Sequence, residues 1–188
     1  MSRLVTNAIR STAASSDAMT IDSAGKPAFP NGGVGKILQA VSATKTDHFS
    51  TTSSSLVEIT GLNVSITPSA STSKILLNID ISVGGATAYI AFNIKRDSTL
   101  IAVTTAVDGN DVRHQGSFGQ VIVQNSGIHG SGFNFLDTPS TTSAITYKVF
   151  VISTYNNQTV NINRSHNTSN AVHNFGGCST ITAMEVAA

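Results

Sequence analysis

The chain has 188 residues, of which 40% are hydrophobic, so it is long enough and apolar enough to build a core of its own. Only 11% of the residues are charged, against roughly 25% in an average protein, and about a quarter are Ser or Thr. The formal net charge is +1 without a Lys/Arg cluster, which argues against nucleic-acid binding, and no apolar run approaches the roughly 20 residues that a membrane-spanning helix needs.

Residues 1–33 offer few apolar positions for a core. The stretch Leu4–Met19 is compatible with a turn or two of helix, and Ala18–Ile21 is a candidate short strand. Pro27 and Pro30 cannot donate to a β-ladder and bias the residues before them to extended backbone. We therefore predict an extended N-terminal segment that is useful only when a partner protein or further copies of the chain cover it.

Three segments of the remaining chain alternate apolar and polar residues with the period of two that is typical of a strand with one face in a core. These segments are Lys74–Val83, Thr87–Arg96 and Ala144–Ser153. Within the last, Tyr147–Ile152 is apolar on both faces, so we expect it to supply surface for subunit contacts. Gly84 and Gly85 lie between the first two segments and predict a tight hairpin.

Shorter segments with strand-like composition follow one another along the rest of the chain, separated by Ser, Thr, Asn, Gly and Pro. Many short strands with turn residues between them predict an all-β fold, an antiparallel β-sandwich or jelly roll, over residues 34–188. The weaker candidate strands are Lys36–Val41, His48–Thr52, Leu56–Thr60, Leu62–Thr67, Thr99–Ala106, Phe118–Gln124, Gly132–Leu136, Thr159–Arg164 and Ser179–Val186.

One predicted loop concentrates polar side chains that could contact a ligand. Its residues are Asp108, Asn110, Asp111, Arg113 and His114. Oxygen ligands around a Gly are what Ca²⁺ requires, but the full 12-residue calcium pattern and its closing Glu are missing. We interpret the loop as a solvated turn and expect no metal and no cofactor.

Two further loops carry candidate contact residues. Arg164 and His166 lie in one that also contains His173, and two His seven residues apart are a poor metal signature. The other loop holds Tyr155, Asn156 and Asn157, whose amides and aromatic ring suit sugar hydroxyls. Any solvent-exposed loop of a β-sandwich has a similar composition, so the residues alone do not distinguish a sugar-binding loop from an ordinary surface loop.

The sequence contains no nucleophile elbow, P-loop, zinc-binding helix or dinucleotide fingerprint, and we predict a protein without enzymatic activity. The single cysteine, Cys178, excludes a disulfide within the chain, and we expect it to pack as a small apolar side chain.

The stretch "TNAIRSTAASSDAMTIDSAGKPAFP" resembles the connector of bacteriophage tail-fibre and virion-appendage proteins. In that connector an Ala/Ser-rich part and a hairpin start lead through a "PAF" element, here ending at Phe29, into a terminal β-domain. The stretch "FSTTSSSLVEITGLNVSITPSASTSKILLNIDIS" resembles the opening strands of the C1q/TNF-like jelly-roll heads that follow such connectors in marine phages. The segments "FLDTPSTTSAITYKVFV" and "STITAMEV" fit the same pattern.

This resemblance implies a virion protein with a homotrimeric head. Residues 1–33 would attach the head to another virion protein, with Pro27, Phe29 and Pro30 forming a neck. The composition of the head loops adds a host surface polysaccharide as a candidate partner. The chain lacks the heptads and long shaft of extended tail fibres, so a capsid decoration or head-fibre protein without a receptor role remains an alternative. A carbohydrate-binding module is a second alternative, although it would not need the neck.

Overall fold

The computed structural model describes residues 8–9, 19–21, 23–25, 27–28, 36–85, 88–103, 117–123, 127–153, 158–167 and 174–188. In these ranges every regular element is a β-strand, and no helix long and apolar enough to cross a membrane occurs among them. The strands are β1 (Ala8–Ile9), β2 (Met19–Ile21), β3 (Pro27–Ala28), β4 (Ile37–Lys45), β5 (Phe49–Thr51), β6 (Val57–Ile66), β7 (Lys74–Gly85), β8 (Ala88–Arg96), β9 (Thr99–Ile101), β10 (Phe118–Val123), β11 (His129–Asp137), β12 (Ile145–Ser153), β13 (Val160–Ile162) and β14 (Ser179–Val186).

The strands form three antiparallel sheets. A five-stranded sheet has the order β10-β8-β12-β6, with β9 beside β8, and a six-stranded sheet has the order β4-β14-β7-β13-β5, with β11 beside β7. These two sheets pack face to face as a sandwich, which confirms the predicted all-β fold class. The third sheet, β1-β2-β3, belongs to the N-terminal segment.

The core lies between the two large sheets and uses the alternating positions that the sequence indicates. In β7 the side chains of Ile75, Leu77 and Ile81 are fully buried, and in β8 those of Phe92 and Ile94 are as well. Burial of each such side chain contributes about 1.5–3 kcal/mol. Each of the three strongest strand predictions is therefore confirmed as a central, core-forming strand.

A row of stacked phenyl rings crosses from one sheet to the other. Phe92 and Phe118 belong to the five-stranded sheet, and Phe133 and Phe135 belong to β11 of the six-stranded sheet. The ring centroids are 5.1 Å apart for Phe92–Phe118, 5.1 Å for Phe118–Phe133 and 6.3 Å for Phe133–Phe135. The interplanar angles of these pairs are 13°, 10° and 12°. Stacked aromatic pairs contribute beyond their buried area, so this row helps to hold the two sheets in register.

The predicted hairpin at Gly84 and Gly85 is wrong. Strand β7 continues through both glycines and pairs there with β13, while β8 belongs to the other sheet. A Cβ at Gly84 would collide with the carbonyl oxygen of Arg164 and lie 2.9 Å from the Cα of Ser165. Glycine is required here because the chain after β13 crosses close over β7, and not because the chain turns.

Two of the weaker predicted strands, Leu56–Thr60 and Leu62–Thr67, are one strand. They join in β6, where Gly61 has a φ of 83° and the pairing with β12 shifts register. The irregularity places Ile59 and Leu62, three residues apart, both in the core with no exposed surface. Simple alternation cannot predict this, because a bulge changes which positions face inward.

The described part of the N-terminal segment is a small sheet. Met19–Ile21 is the predicted short strand, and Ala8–Ile9 is a strand where the sequence allowed helix. Pro27 begins the edge strand β3, which pairs with β2 across a turn at Gly25, whose φ is 79°. In the described ranges these strands pair with one another as one small sheet. Phe29 and Pro30 of the predicted neck lie outside the described residues.

Candidate functional site

Most of the predicted contact residues lie outside the described part of the chain. Arg164 and His166 are the two that the structure places, and they follow β13. The others, which stay predictions, are Asp108, Asn110, Asp111, Arg113, His114, Tyr155, Asn156 and Asn157.

Asn163 holds the loop that carries Arg164 and His166. Its φ of 66° is in the left-handed region that Asn tolerates better than most residues, and only 5% of its surface is exposed. The side-chain amide donates to the carbonyl oxygens of Lys45 (2.7 Å) and Asp47 (3.0 Å). These bonds join the start of the loop to the β4–β5 turn.

The remaining polar groups of Asn163 are also paired. Its Oδ1 accepts a bond of 2.6 Å from the hydroxyl of Ser179, its backbone N–H donates to the carbonyl of Ser82, and its carbonyl accepts from the N–H of Gly177. Asn163 thus connects four segments of the six-stranded sheet. Replacing the amide would leave several buried groups without partners.

Arg164 and His166 themselves are half-buried. The backbone of Arg164 forms an isolated bridge with Gly176, and the N–H of Ser165 donates to the carbonyl of Phe175 at 3.2 Å. Nε of Arg164 and Nδ1 of His166 are buried without a hydrogen-bond partner in the described structure. Within the described ranges, no group of three His, Cys, Asp or Glu side chains could hold a metal ion.

A buried polar cluster that the sequence did not reveal connects the two sheets at the ends of their strands. Arg96 of β8 donates to both carboxylate oxygens of Asp137 at the end of β11, at 2.9 and 2.7 Å. The hydroxyl of Tyr147 in β12 donates to the same carboxylate at 2.7 Å. Burial raises the pKa of Tyr147, and the hydrogen bond to Asp137 raises it further, so the phenol keeps its proton. The cluster is suited to holding the sandwich together.

A second buried carboxylate, Glu185, ties the β6–β7 turn to β4 and β14. Its oxygens accept from the N–H and hydroxyl of Ser69 (2.7 and 2.6 Å) and from the amide of Gln39 (2.6 Å). Burial raises the pKa of Glu185, but hydrogen bonds from Ser69, Gln39 and Ser73 outweigh that effect and lower it to about 2. The only sequence signal was a charge at an inward position of β14.

Cys178 does not pack as an apolar side chain, so that expectation is wrong. The thiol is exposed just before β14, and the adjacent backbone carbonyl accepts a bond of 2.8 Å from the hydroxyl of Ser82. Cys178 immediately precedes β14, and the alternation that buries Ser179 and Ile181 places position 178 on the outward side.

The two-faced apolar stretch Tyr147–Ile152 is already largely covered within one chain. Tyr147 and Val149 have no exposed surface, and Ile152 on the opposite face is 5% exposed. Phe150 is half-buried, with the Lys95 ammonium 4.5 Å from its ring centroid. Little apolar surface is left there for another subunit.

The outward face of the six-stranded sheet is exposed instead. Its side chains lie in registered rows that cross β4, β14, β7 and β11. We call three neighbouring rows the open face: Ala40–Met184–Leu76–Leu136, Ser42–Thr182–Asn78–Asn134 and Thr44–Thr180–Asp80–Gly132.

No protein-family model matches the chain, and no curated protein matches its sequence significantly. Similar solved structures include two of infectious bursal disease virus, Gt and Gx strains, and the crystal structure of the infectious bursal disease virus VP2 subviral particle. Sequence identities are 13%, 12% and 12%, TM-scores are 0.38, 0.37 and 0.36, and each match covers 79% of this chain. The chain spans 37–38% of the length of those proteins. TM-scores this low do not establish a shared fold.

Proposed function

We propose that this chain is a virion structural protein without enzymatic activity, which forms a short homotrimeric appendage of a phage particle. The observation that carries the proposal is the division of the described chain into two kinds of sheet. A sandwich with its own core follows a small three-stranded sheet whose described strands pair only with one another. This is the arrangement of head and connector that the sequence resemblance implies.

The chemistry of the described sandwich suits a protein that must persist outside a cell. The core is continuous between the sheets, and buried polar groups such as Asp137, Glu185 and Asn163 each have several hydrogen-bond partners. Such satisfied clusters favour one packing of the sheets over alternatives. With 11% charged residues, the chain is also suited to contacts with uncharged partners.

Under this proposal residues 1–33 attach the head to another virion protein, and the head loops face outward. The candidate contacts to a host surface polysaccharide are the loop residues that the sequence indicates, from Asp108 to His114, Tyr155 to Asn157, and Arg164 with His166. Nε of Arg164 and Nδ1 of His166 have no hydrogen-bond partner in the described structure, which supports these two residues as candidate contacts.

The test is to label the protein on purified particles of the phage that encodes it and to image them by electron microscopy. We expect label on a short projection at the tail, and a mass of three chains for the isolated protein by light scattering. Label distributed over the capsid would favour the decoration role. Absence from particles together with glycan binding by a monomer would contradict the proposal and favour a carbohydrate-binding module.

A further inference from the structure

An apolar row crosses the six-stranded sheet on its solvent side. Met184 pairs with Ala40 on one side and Leu76 on the other, and Leu76 pairs with Leu136. Leu136 is 47% exposed. These side chains lie on the face opposite the core, so they add nothing to the packing of the sandwich.

Two more apolar side chains extend this row at its β4 end. The register of β4 against β14 shifts at Val186, and the irregularity leaves consecutive residues Ile37 and Leu38 exposed at 53% and 43%. Three of the large apolar side chains that are exposed in the described structure, Ile37, Leu38 and Leu136, therefore lie on the outward side of the six-stranded sheet. Clustered exposure of this kind marks an interaction surface, whereas scattered single residues do not.

The neighbouring rows are polar but nearly uncharged. Ser42 and Thr182 share a hydrogen bond of 2.9 Å, and Asn78 donates to Asn134 at 2.6 Å, so part of their polar capacity is already used within the sheet. Asp80 is the one charged side chain in the three rows. Depletion of charge distinguishes the central part of an interface from ordinary surface.

Two glycines in β11 point to a close approach from outside. Gly130 and Gly132 lie on the outward side of the strand, opposite Ser82 and Asp80. A Cβ at Gly130 would meet no atom within 4 Å, and one at Gly132 would make an ordinary contact of 3.6 Å with the carbonyl of Ile79. Neither glycine is required by packing within the chain. Glycine inside a strand often marks a place where another backbone comes close.

From these observations we propose that a second copy of this chain binds to the open face, so that this face is the subunit contact of the oligomer. The inference rests on the proposed homotrimer and adds where its subunits meet. The three rows span five residues in each of four strands, so at about 4.8 Å between strands and about 3.4 Å per residue they cover roughly 330 Å² in plan. That is about two fifths of the about 800 Å² that each partner contributes to a stable interface, and Ile37 and Leu38 enlarge the apolar area beyond the rows.

The chemistry of the face favours another copy over other occupants. The rows form a sheet surface with no outward aromatic ring on which a sugar could stack. A copy of the same chain offers an equally uncharged surface, with apolar side chains to meet the apolar row and hydroxyls and amides to meet the polar rows. Turned toward a common axis, the same face of each copy would be removed from water.

Two variants of the full-length chain test this inference. Leu136→Lys adds a charge to the apolar row, and Gly130→Arg fills the open space beside β11. Leu100→Lys, at a leucine that is 38% exposed on β9 of the other sheet, is the matched control. All three positions are exposed, so we expect circular dichroism and melting temperature to match the wild type.

Sedimentation equilibrium over a range of concentrations provides the readout. For Leu136→Lys and Gly130→Arg we expect the concentration at which the oligomer dissociates to rise at least about tenfold, while Leu100→Lys leaves it unchanged. If the wild type is oligomeric and both variants keep the wild-type mass, this inference is wrong, and the virion role is unaffected. A wild type that is monomeric at all concentrations would overturn both this inference and the homotrimer, and particle labelling would then still test the virion role separately.

Discussion

The outward faces of the two large sheets differ, although both sheets contribute to one core. On the five-stranded sheet, Ala91, Asn93 and Ile152 face away from the core and are still only 6%, 1% and 5% exposed. On the six-stranded sheet the corresponding positions, among them Asn78 and Leu136, are open to solvent. Part of the outward face of the five-stranded sheet is therefore covered by the chain itself, whereas the open face of the six-stranded sheet is not.

The difference shows that an apolar residue on an outward face is not by itself evidence of an interface. Ile152 looks from the sequence like surplus surface, but the fold buries it. Leu136, in a strand with no particular excess of apolar residues, stays exposed beside Leu76. The predictions below compare inward, bridging and outward positions of the same sandwich, from the largest expected effect to the smallest.

The largest effect should come from a charge placed on the inward side of β7. Ile79→Asp buries an unpaired carboxylate at a position that is 2% exposed, and we expect a loss of at least about 4 kcal/mol in the free energy of unfolding. Asp80→Asn, one residue away on the open face, should change it by less than about 0.5 kcal/mol. Urea denaturation followed by circular dichroism measures both. Equal effects would mean that the assignment of the two faces is wrong.

The next effect concerns the cluster that bridges the sheets. Asp137→Ala leaves the Arg96 guanidinium and the Tyr147 hydroxyl without their shared acceptor, and we expect a cost of about 3–5 kcal/mol. Tyr147→Phe keeps the ion pair and should cost about 1–2 kcal/mol. For comparison, Lys148→Ala removes a half-exposed ion pair with Glu58 on the outward face of the five-stranded sheet, and should cost less than about 1 kcal/mol. A Lys148→Ala cost as large as that of Asp137→Ala would contradict this ranking.

Acid should weaken the contact at Glu185. Its pKa in the folded protein is about 2, below the value of about 4.3 for an unfolded chain. The carboxylate therefore contributes stability that is fully present above about pH 4.3 and is lost as the pH falls toward 2. We expect Glu185→Gln to be less stable than wild type by about 2–3 kcal/mol at pH 6, with the difference shrinking at pH 2.5. Urea midpoints at both pH values provide the measurement, and a constant difference would show that the charge of Glu185 is not responsible.

Deletion of residues 1–33 should have little effect on the sandwich. The described strands of that segment pair only with each other, so the remaining chain should keep its melting temperature and its oligomeric mass. We expect it to be absent from purified particles, because the missing segment is the one assigned to attachment. A truncated monomer on light scattering would show that the N-terminal segment, and not the open face, holds the subunits together.

Chelator should have the smallest effect. We interpret the loop from Asp108 to His114 and the loop with Arg164 and His166 as polar surface, so EDTA should leave the melting temperature and the oligomeric mass unchanged. A melting temperature that falls by many degrees and recovers with Ca²⁺ or a transition metal would reveal a structural ion in these loops.

Much of the fold could be predicted because strands with one buried face are locally encoded. Ser179–Val186 has the predicted bounds, and Lys74–Val83 differs from β7 only by the two glycines at its end. The candidate contact residues stay predictions. Loop composition indicated Arg164 and His166, but the apolar row through Leu76 and Leu136 joins strands that are far apart in the chain, and no local pattern marks it.

By itself the sequence determined that the protein is all-β and which side chains of β7, β8 and β12 face the core, since side-chain direction alternates with every residue. Only the tertiary structure decided which strands are neighbours. Gly84 and Gly85 have the local signature of a hairpin, but β7 continues through both, and Gly84 permits a distant backbone to cross over the strand. The same holds for Arg96, Asp137 and Tyr147, whose hydrogen bonds exist only once two sheets have packed. A residue's own preferences are local, whereas pairing and exposure depend on residues far away in the chain.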